Sequence, residues 1–168
     1  MSRKVTLFHF GDPLPPLRDL LARGGIVAFP TESSYGLGVD PWNAAGVEAI
    51  YRIKEREAGK PLPASAGTRT LAVRVPDHEP LRELLAALGH GLTATSANRG
   101  GEAPIVDPAA LADLLAGEDA MVVDGGVLPG GPPSTLVAIE GDRVVVLRSG
   151  RFPAERLEED LRPTEEEG

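Results

Sequence analysis

The stretch that decides the reading is Gly24–Pro41, GGIVAFPTESSYGLGVDP. Ile26–Phe29 is a short, wholly apolar run of the kind found in strands buried on both faces. It runs into Pro-Thr-Glu-Ser-Ser-Tyr-Gly-Leu-Gly, a polar segment richer than a plain connection requires. A turn needs a Gly or an Asn; it does not need Thr31, Glu32, Ser33, Ser34 and Tyr35 between a proline and two glycines.

Working outward, strand-like and helix-like segments alternate. Val5–Phe10 is β-rich and predicts a first or edge strand. Asp12 and Pro13 signal a helix start, and Leu17, Leu20 and Leu21 share a helical face that ends at Gly24-Gly25. Asn43 is placed to cap a helix carrying Val47, Ile50, Tyr51 and Lys54 at helical spacing. Leu71–Pro76 predicts a strand, Glu79–Gly91 an amphipathic helix, Leu92–Asn98 a strand entering a polar loop, and Asp107–Gly117 a helix with Pro108 in its first turn. Three strands follow in AMVVDGG, STLVAIEG and RVVVLRSG, the last two joined as a hairpin at Glu140-Gly141-Asp142. This order predicts an α/β fold: a twisted mixed parallel/antiparallel sheet, largely parallel, with antiparallel strands at one side and flanking helices.

The chain has 168 residues, the size of one domain, and we expect a single domain over 1–168 with a frayed acidic tail at 156–168. Without cysteine there is no disulfide framework, thiol nucleophile or cysteine metal site. No signal-peptide pattern and no stretch of membrane-spanning length occurs, so the expected location is cytoplasmic with no membrane association. The net charge of −8 argues against general charge-driven binding to nucleic acid, though not against a local basic pocket.

Ligands of open α/β sheets bind beyond the carboxyl ends of the strands, so polar clusters there carry the most weight. Thr31–Ser34, then Thr95, Ser96 and Asn98, then Ser134 and Thr135 are such clusters. Singly, each is better explained as a turn held by side-chain-to-backbone hydrogen bonds. Lys54 and Arg56 alone could simply complement a helix dipole. Residues two apart on a helix diverge by about 200°, but in an extended segment they share a face. If the helix ends near Lys54, as Ala58-Gly59 and Pro61 suggest, Lys54 and Arg56 can turn to one anion. Ser96 and Asn98 have the same spacing. Two cations with small hydroxyl and amide groups suit a phosphate or a carboxylate. No phosphate-loop or dinucleotide-binding glycine motif is present. His9, His78 and His90 are scattered, which makes a zinc site improbable, and no nucleophile elbow supports a serine hydrolase.

Taken in order, GGIVAFPTESSYGLGVDP, IKEREAGKPL, LAVRVPDH, TSANRGGEAP and STLVAI…VLRSG resemble the motif series of the YrdC/Sua5/TsaC family of threonylcarbamoyl-AMP synthases. The blocks span 24–150. The resemblance implies a YrdC-like sheet around an open concave cavity lined with positive charge. It implies synthesis of threonylcarbamoyl-adenylate from L-threonine, bicarbonate and ATP accompanied by Mg²⁺, with release of pyrophosphate. It also implies the machinery that transfers the threonylcarbamoyl group to adenosine 37 of tRNA (t6A modification), with tRNA or double-stranded RNA as the nucleic-acid partner. By the same resemblance Lys54, Arg56, Ser96 and Asn98 form the catalytic tetrad. Thr31, Lys60 and Arg74 bind substrate, and Arg56, Ser96, Ser134 and Arg148 hold the nucleotide. The polar loop after Phe29 then becomes the cavity floor, with Gly36 and Gly38 letting the backbone turn and approach closely. Tyr35 is a wall of that cavity or plain packing.

The match departs from the family in three places. Ser33 and Ser34 replace a Thr and a branched apolar residue, and Glu57 replaces a Pro. Between KPL and AVRVP only nine residues, Pro63 to Leu71, stand where the family carries a helix and a P-G-P-x-T motif. The alternative function is therefore a non-catalytic YrdC-like nucleotide- or RNA-binding protein.

Overall fold

A computed structural model describes residues 4–55, 72–140, 143–153 and 156–157. Two compact units are present, Met1–Gly130 and Gly131–Gly168.

The first unit is built on a five-stranded sheet with strands β1 (Val5–Phe8), β2 (Ile26–Pro30), β3 (Tyr35–Gly38), β4 (Thr95–Ser96) and β5 (Ala120–Val123), in the order β1-β5-β2-β3-β4. β1 and β2 both lie parallel to β5, whereas β3 is antiparallel to β2 and β4 to β3. The sheet is mixed, as the sequence predicts. Its antiparallel side, however, comes from β3 and β4 rather than from the C-terminal hairpin.

Every residue of β2 is buried because both faces are covered. Ile26 and Ala28 point to a core shared with α2 (Ala44–Ile53) and α4 (Leu111–Leu114). Val27 and Phe29 point the other way, against Leu17, Leu20 and Leu21 of α1 (Pro15–Ala22) and Leu81, Leu84 and Leu88 of α3 (Glu79–Leu88). β5 divides likewise, Ala120 and Val122 to one core and Met121 and Val123 to the other. The period-two alternation of a strand thus serves two helical layers. Each buried Leu or Phe contributes about 1.5–3 kcal/mol of transfer free energy.

Local signals set the helix ends. Asn43 Oδ1 accepts from the Gly46 amide at 3.3 Å, capping α2 as its position predicts. His78 does the same for α3 through Nδ1, at 3.2 Å from Leu81 N. Asp12 is different. It accepts from the His9 amide at 2.8 Å, and α1 begins at Pro15-Pro16 with no side-chain cap. The prolines start that helix, having no N–H to satisfy there.

Two expectations need correction. Among the described residues, 72–76 join no strand ladder, although LAVRVP has strand composition. Val73 and Val75 are each 78% exposed; β propensity without a neighbouring ladder or a covering layer does not hold a strand. The segment after Phe29 is also not one long loop. It is a tight reversal at Thr31–Ser34 followed by β3, so Gly36 and Gly38 lie within a strand and do no turning. Their other expected role, close approach, does hold. A Cβ on Gly38 would lie 2.6 Å from Thr93 O, and one on Gly36 would lie 2.7 Å from Phe29 Cε2.

The second unit contains the expected hairpin, β6 (Leu136–Glu140) and β7 (Arg143–Arg148), as a two-stranded antiparallel sheet of its own. Residues 141–142 and 158–168, the hairpin connection and most of the acidic tail, lie outside the described residues.

Candidate active site

β2 is where the sheet changes from parallel to antiparallel, and the expected site residues of the first unit that fall among the described residues gather at its carboxyl end. β3 starts at that end and runs away from it; α2 returns to it and stops at Lys54, whose backbone amide closes the last turn on Ile50 O at 3.0 Å. Glu55 follows with φ 51°, the one non-glycine residue among those described with positive φ. β4 pairs Ser96 with Gly36, bringing the Ser96–Asn98 loop to the same place.

There Lys54, Ser96 and Asn98 converge. Lys54 Nζ donates to Ser96 Oγ at 3.1 Å and also to Asn98 Oδ1, and Ser96 Oγ donates to Asn98 Oδ1 at 2.7 Å. Asn98 Nδ2 is fixed by Glu102 O. The Lys54 side chain is drawn inward (the residue is 7% exposed), whereas Ser96 is exposed, so the triangle opens to solvent on the serine side. An ammonium beside a hydroxyl and a side-chain amide is a donor set that suits an anionic oxygen. The approach depends on Gly100, where a Cβ would stand 2.7 Å from Lys54 O.

The reversal at Thr31–Ser34 is tightly tied. Thr31 Oγ1 donates to Ser34 O at 2.7 Å and accepts from the Ser33 and Ser34 amides at 3.4 Å each, and the Gly130 amide donates to Ser33 O at 2.8 Å. The Thr31 hydroxyl hydrogen is therefore committed to the turn. Arg74 Nη2 donates to Glu32 Oε1, tethering the unpaired 72–76 segment to this reversal. Glu32 belongs to the Thr31–Ser34 polar cluster of the sequence but was given no role of its own. The signal was present in the PTE triplet, but nothing in the spacing linked it to an arginine 42 positions away.

Tyr35 is packing rather than reagent. It is fully buried, its hydroxyl donates to Gly126 O at 2.9 Å and accepts from the Gly125 amide at 3.0 Å, and burial pushes its pKa above the usual tyrosine value.

Of the remaining expected residues, Arg56 and Lys60 lie outside the described residues. Ser134 and Arg148 belong to the second unit, where Arg148 Nη2 donates to Ser134 O at 3.1 Å. A separate concavity of about 240 Å³ opens at the amino ends of β2 and β5. Its arginines are already engaged, Arg23 with Asp119 at 2.6 Å and Arg52 with Glu118 at 3.0 Å, and it collects none of the expected site residues.

No helix among the described residues is long and apolar enough to cross a membrane.

A family model, Sua5_yciO_yrdC, described as "Telomere recombination", matches residues 19–67 and 63–150. The two pieces meet where the sequence lacks the family's middle segment. A threonylcarbamoyl-AMP synthase of Thiobacillus denitrificans is 33% identical over 176 positions, covering 78% of this chain and 93% of the relative. That alignment is longer than the chain itself, so the relative carries positions absent here. Among solved structures, H234A/Y235A Sua5 of P. abyssi superposes with a TM-score of 0.78 at 23% identity, covering 95% of this chain and 64% of that one. P. abyssi Sua5 complexed with L-threonine gives 0.71 at 22% identity, covering 93% and 60%. This chain therefore spans somewhat under two thirds of the P. abyssi protein. With the motif blocks, the sheet order and the family match in agreement, the chain belongs to the Sua5/YciO/YrdC family.

Proposed function

We propose that this protein is a threonylcarbamoyl-AMP synthase. In this reading L-threonine, bicarbonate and ATP yield threonylcarbamoyl-adenylate and pyrophosphate. The observation that carries it is the convergence of Lys54, Ser96 and Asn98 at the carboxyl end of β2. Further support comes from the name of the Thiobacillus relative and from L-threonine being the ligand of the P. abyssi protein.

The chemistry asks for holding rather than for a protein nucleophile. The threonine amine adds to bicarbonate, and water leaves. A carbamate oxygen then attacks the α-phosphorus of ATP, and the bond to pyrophosphate breaks. Confining the two small reactants lowers the barrier by several kcal/mol. Lys54 neutralises charge as pyrophosphate departs, while Ser96 and Asn98 keep the ammonium aimed. Arg74 receives the threonine carboxylate. Thr31 shapes that subsite through its turn, its methyl group and its peptide. Arg56 and Lys60 serve the phosphates, and Ser134 and Arg148 the nucleotide, by the family pattern alone. The donor set of ammonium, hydroxyl and amide fits phosphate oxygens rather than a bare cation, so Mg²⁺ belongs to ATP and travels with it.

The matched stretch 63–150 runs through the boundary between the two units, which supports treating 1–168 as one functional domain. The product would pass to the machinery that modifies adenosine 37 of tRNA, in the cytoplasm. The test is pyrophosphate release by the purified chain. It should require both L-threonine and bicarbonate, and release at the no-threonine blank level would falsify the assignment.

The short middle segment favours a second reading, a nucleotide- or RNA-binding protein without turnover. That reading requires ATP or tRNA binding with no pyrophosphate release, and binding that weakens in Lys54→Ala.

A further inference from the structure

We propose that Glu32 is a positioning residue: its carboxylate, fixed on the β2–β3 reversal, holds the Arg74 guanidinium in place for the carboxylate of the amino-acid substrate. The inference rests on the synthase reading, which assigns Arg74 to threonine.

The two partners differ in how firmly the chain holds them. Glu32 sits within the reversal, between Thr31 and Ser33, where the three hydrogen bonds of Thr31 Oγ1 and the Gly130-to-Ser33 bond fix the backbone. Its side chain is 13% exposed. Arg74 sits on a segment with no ladder. Residues 72–75 are exposed, and the next anchor is Pro76, which is buried and whose carbonyl accepts from Arg82 Nη1 at 2.8 Å. An arginine on such a segment would sample many rotamers. The ion pair to Glu32 selects one of them.

The geometry also leaves capacity. A guanidinium has five N–H donors in a planar fork, and the Glu32 contact is made through Nη2. The rest of the fork suits a second carboxylate, held bidentately. The contact in turn neutralises charge on a mostly buried carboxylate. Glu32 touches no reacting atom in this arrangement; it acts through Arg74.

The experiment uses the full 168-residue chain. Calorimetric titration with L-threonine and threonine-dependent pyrophosphate release are measured for the unaltered protein, Glu32→Gln, Arg74→Ala and the double variant. Glu32→Gln should weaken threonine binding and raise its KM about tenfold, with kcat and the KM for ATP within about threefold of the unaltered values. The double variant should be no worse than Arg74→Ala, because residues acting through one contact are not additive. A purely structural role would instead move both KM values and the melting temperature together. Threonine affinity unchanged in Glu32→Gln, or effects that multiply in the double variant, overturns the proposal while leaving the synthase reading intact. Absence of threonine binding and turnover in the unaltered protein overturns both. Should Glu32→Gln fail to fold, Glu32→Asp carries the same comparison: its charge remains but its reach is one methylene shorter.

Discussion

Replacing Lys54 with Met separates catalysis from stability at one side chain. Met fills nearly the same volume without the ammonium. The folded protein loses the hydrogen bonds to Ser96 Oγ and Asn98 Oδ1, and these two groups keep each other, because Ser96 Oγ still donates to Asn98 Oδ1 at 2.7 Å. Burying an ammonium also costs free energy that Met avoids, so the net change in stability should stay within about 2 kcal/mol. The reaction loses more. An ammonium about 4 Å from a phosphate charge at an effective dielectric of about 20 is worth about 4 kcal/mol, and single preorganised donors typically contribute ~10²–10³ in rate. We expect kcat for threonine-dependent pyrophosphate release to fall ~10²–10³-fold while the melting temperature moves by a few degrees. Lys54→Arg should not rescue, since a planar fork cannot replace a point charge inside that triangle. A folded Lys54→Met protein within about threefold of the original rate would refute the reasoning.

Three further outcomes follow from the geometry. Gly100→Ala should cost about 1–3 kcal/mol and also lower kcat, because its Cβ meets a backbone oxygen 2.7 Å away, that of Lys54; denaturant unfolding and turnover check this. Asn43→Ala should cost about 1 kcal/mol through loss of the α2 cap, with kinetics unchanged in the folded protein, as a chevron and an activity assay would show. Tyr35→Phe should destabilise by about 1–3 kcal/mol at neutral pH by leaving the Gly125 amide and the Gly126 carbonyl without the hydroxyl. Burial raises the Tyr35 pKa above 10, so its contribution is fully present below about pH 10 and is lost as pH climbs through the raised value. The gap between the two proteins in urea melts should therefore narrow in strong alkali.

Much of this architecture was legible where a local rule met a matching burial. Ile26–Phe29 named itself as a central strand because no polar residue interrupts it. Asn43 declared a cap, and the i, i+2 spacing of Ser96 and Asn98 pointed to a shared face, which the structure turns toward Lys54. What escaped depended on distant partners. β3 was hidden because Tyr35-Gly-Leu-Gly has two glycines, and the close approach of Phe29, Leu92 and the Thr93 and Thr95 carbonyls explains why glycine is tolerated in a strand there. The Leu71–Pro76 strand was overcalled because composition cannot report a missing neighbour. The Glu32–Arg74 pair crosses 42 positions, and no periodicity encodes such a contact.

Tyr35 ties three chain segments together. Its amide donates to Ile105 O at 2.8 Å, its carbonyl accepts from the Ala97 amide at 2.9 Å, and its hydroxyl reaches the chain just past β5. The loop bearing Ser96 and Asn98 and the exit of a central strand are thus riveted at one point. Drift in either segment must be tolerated by the other, so this corner of the molecule should accept compensated pairs of changes more readily than single ones.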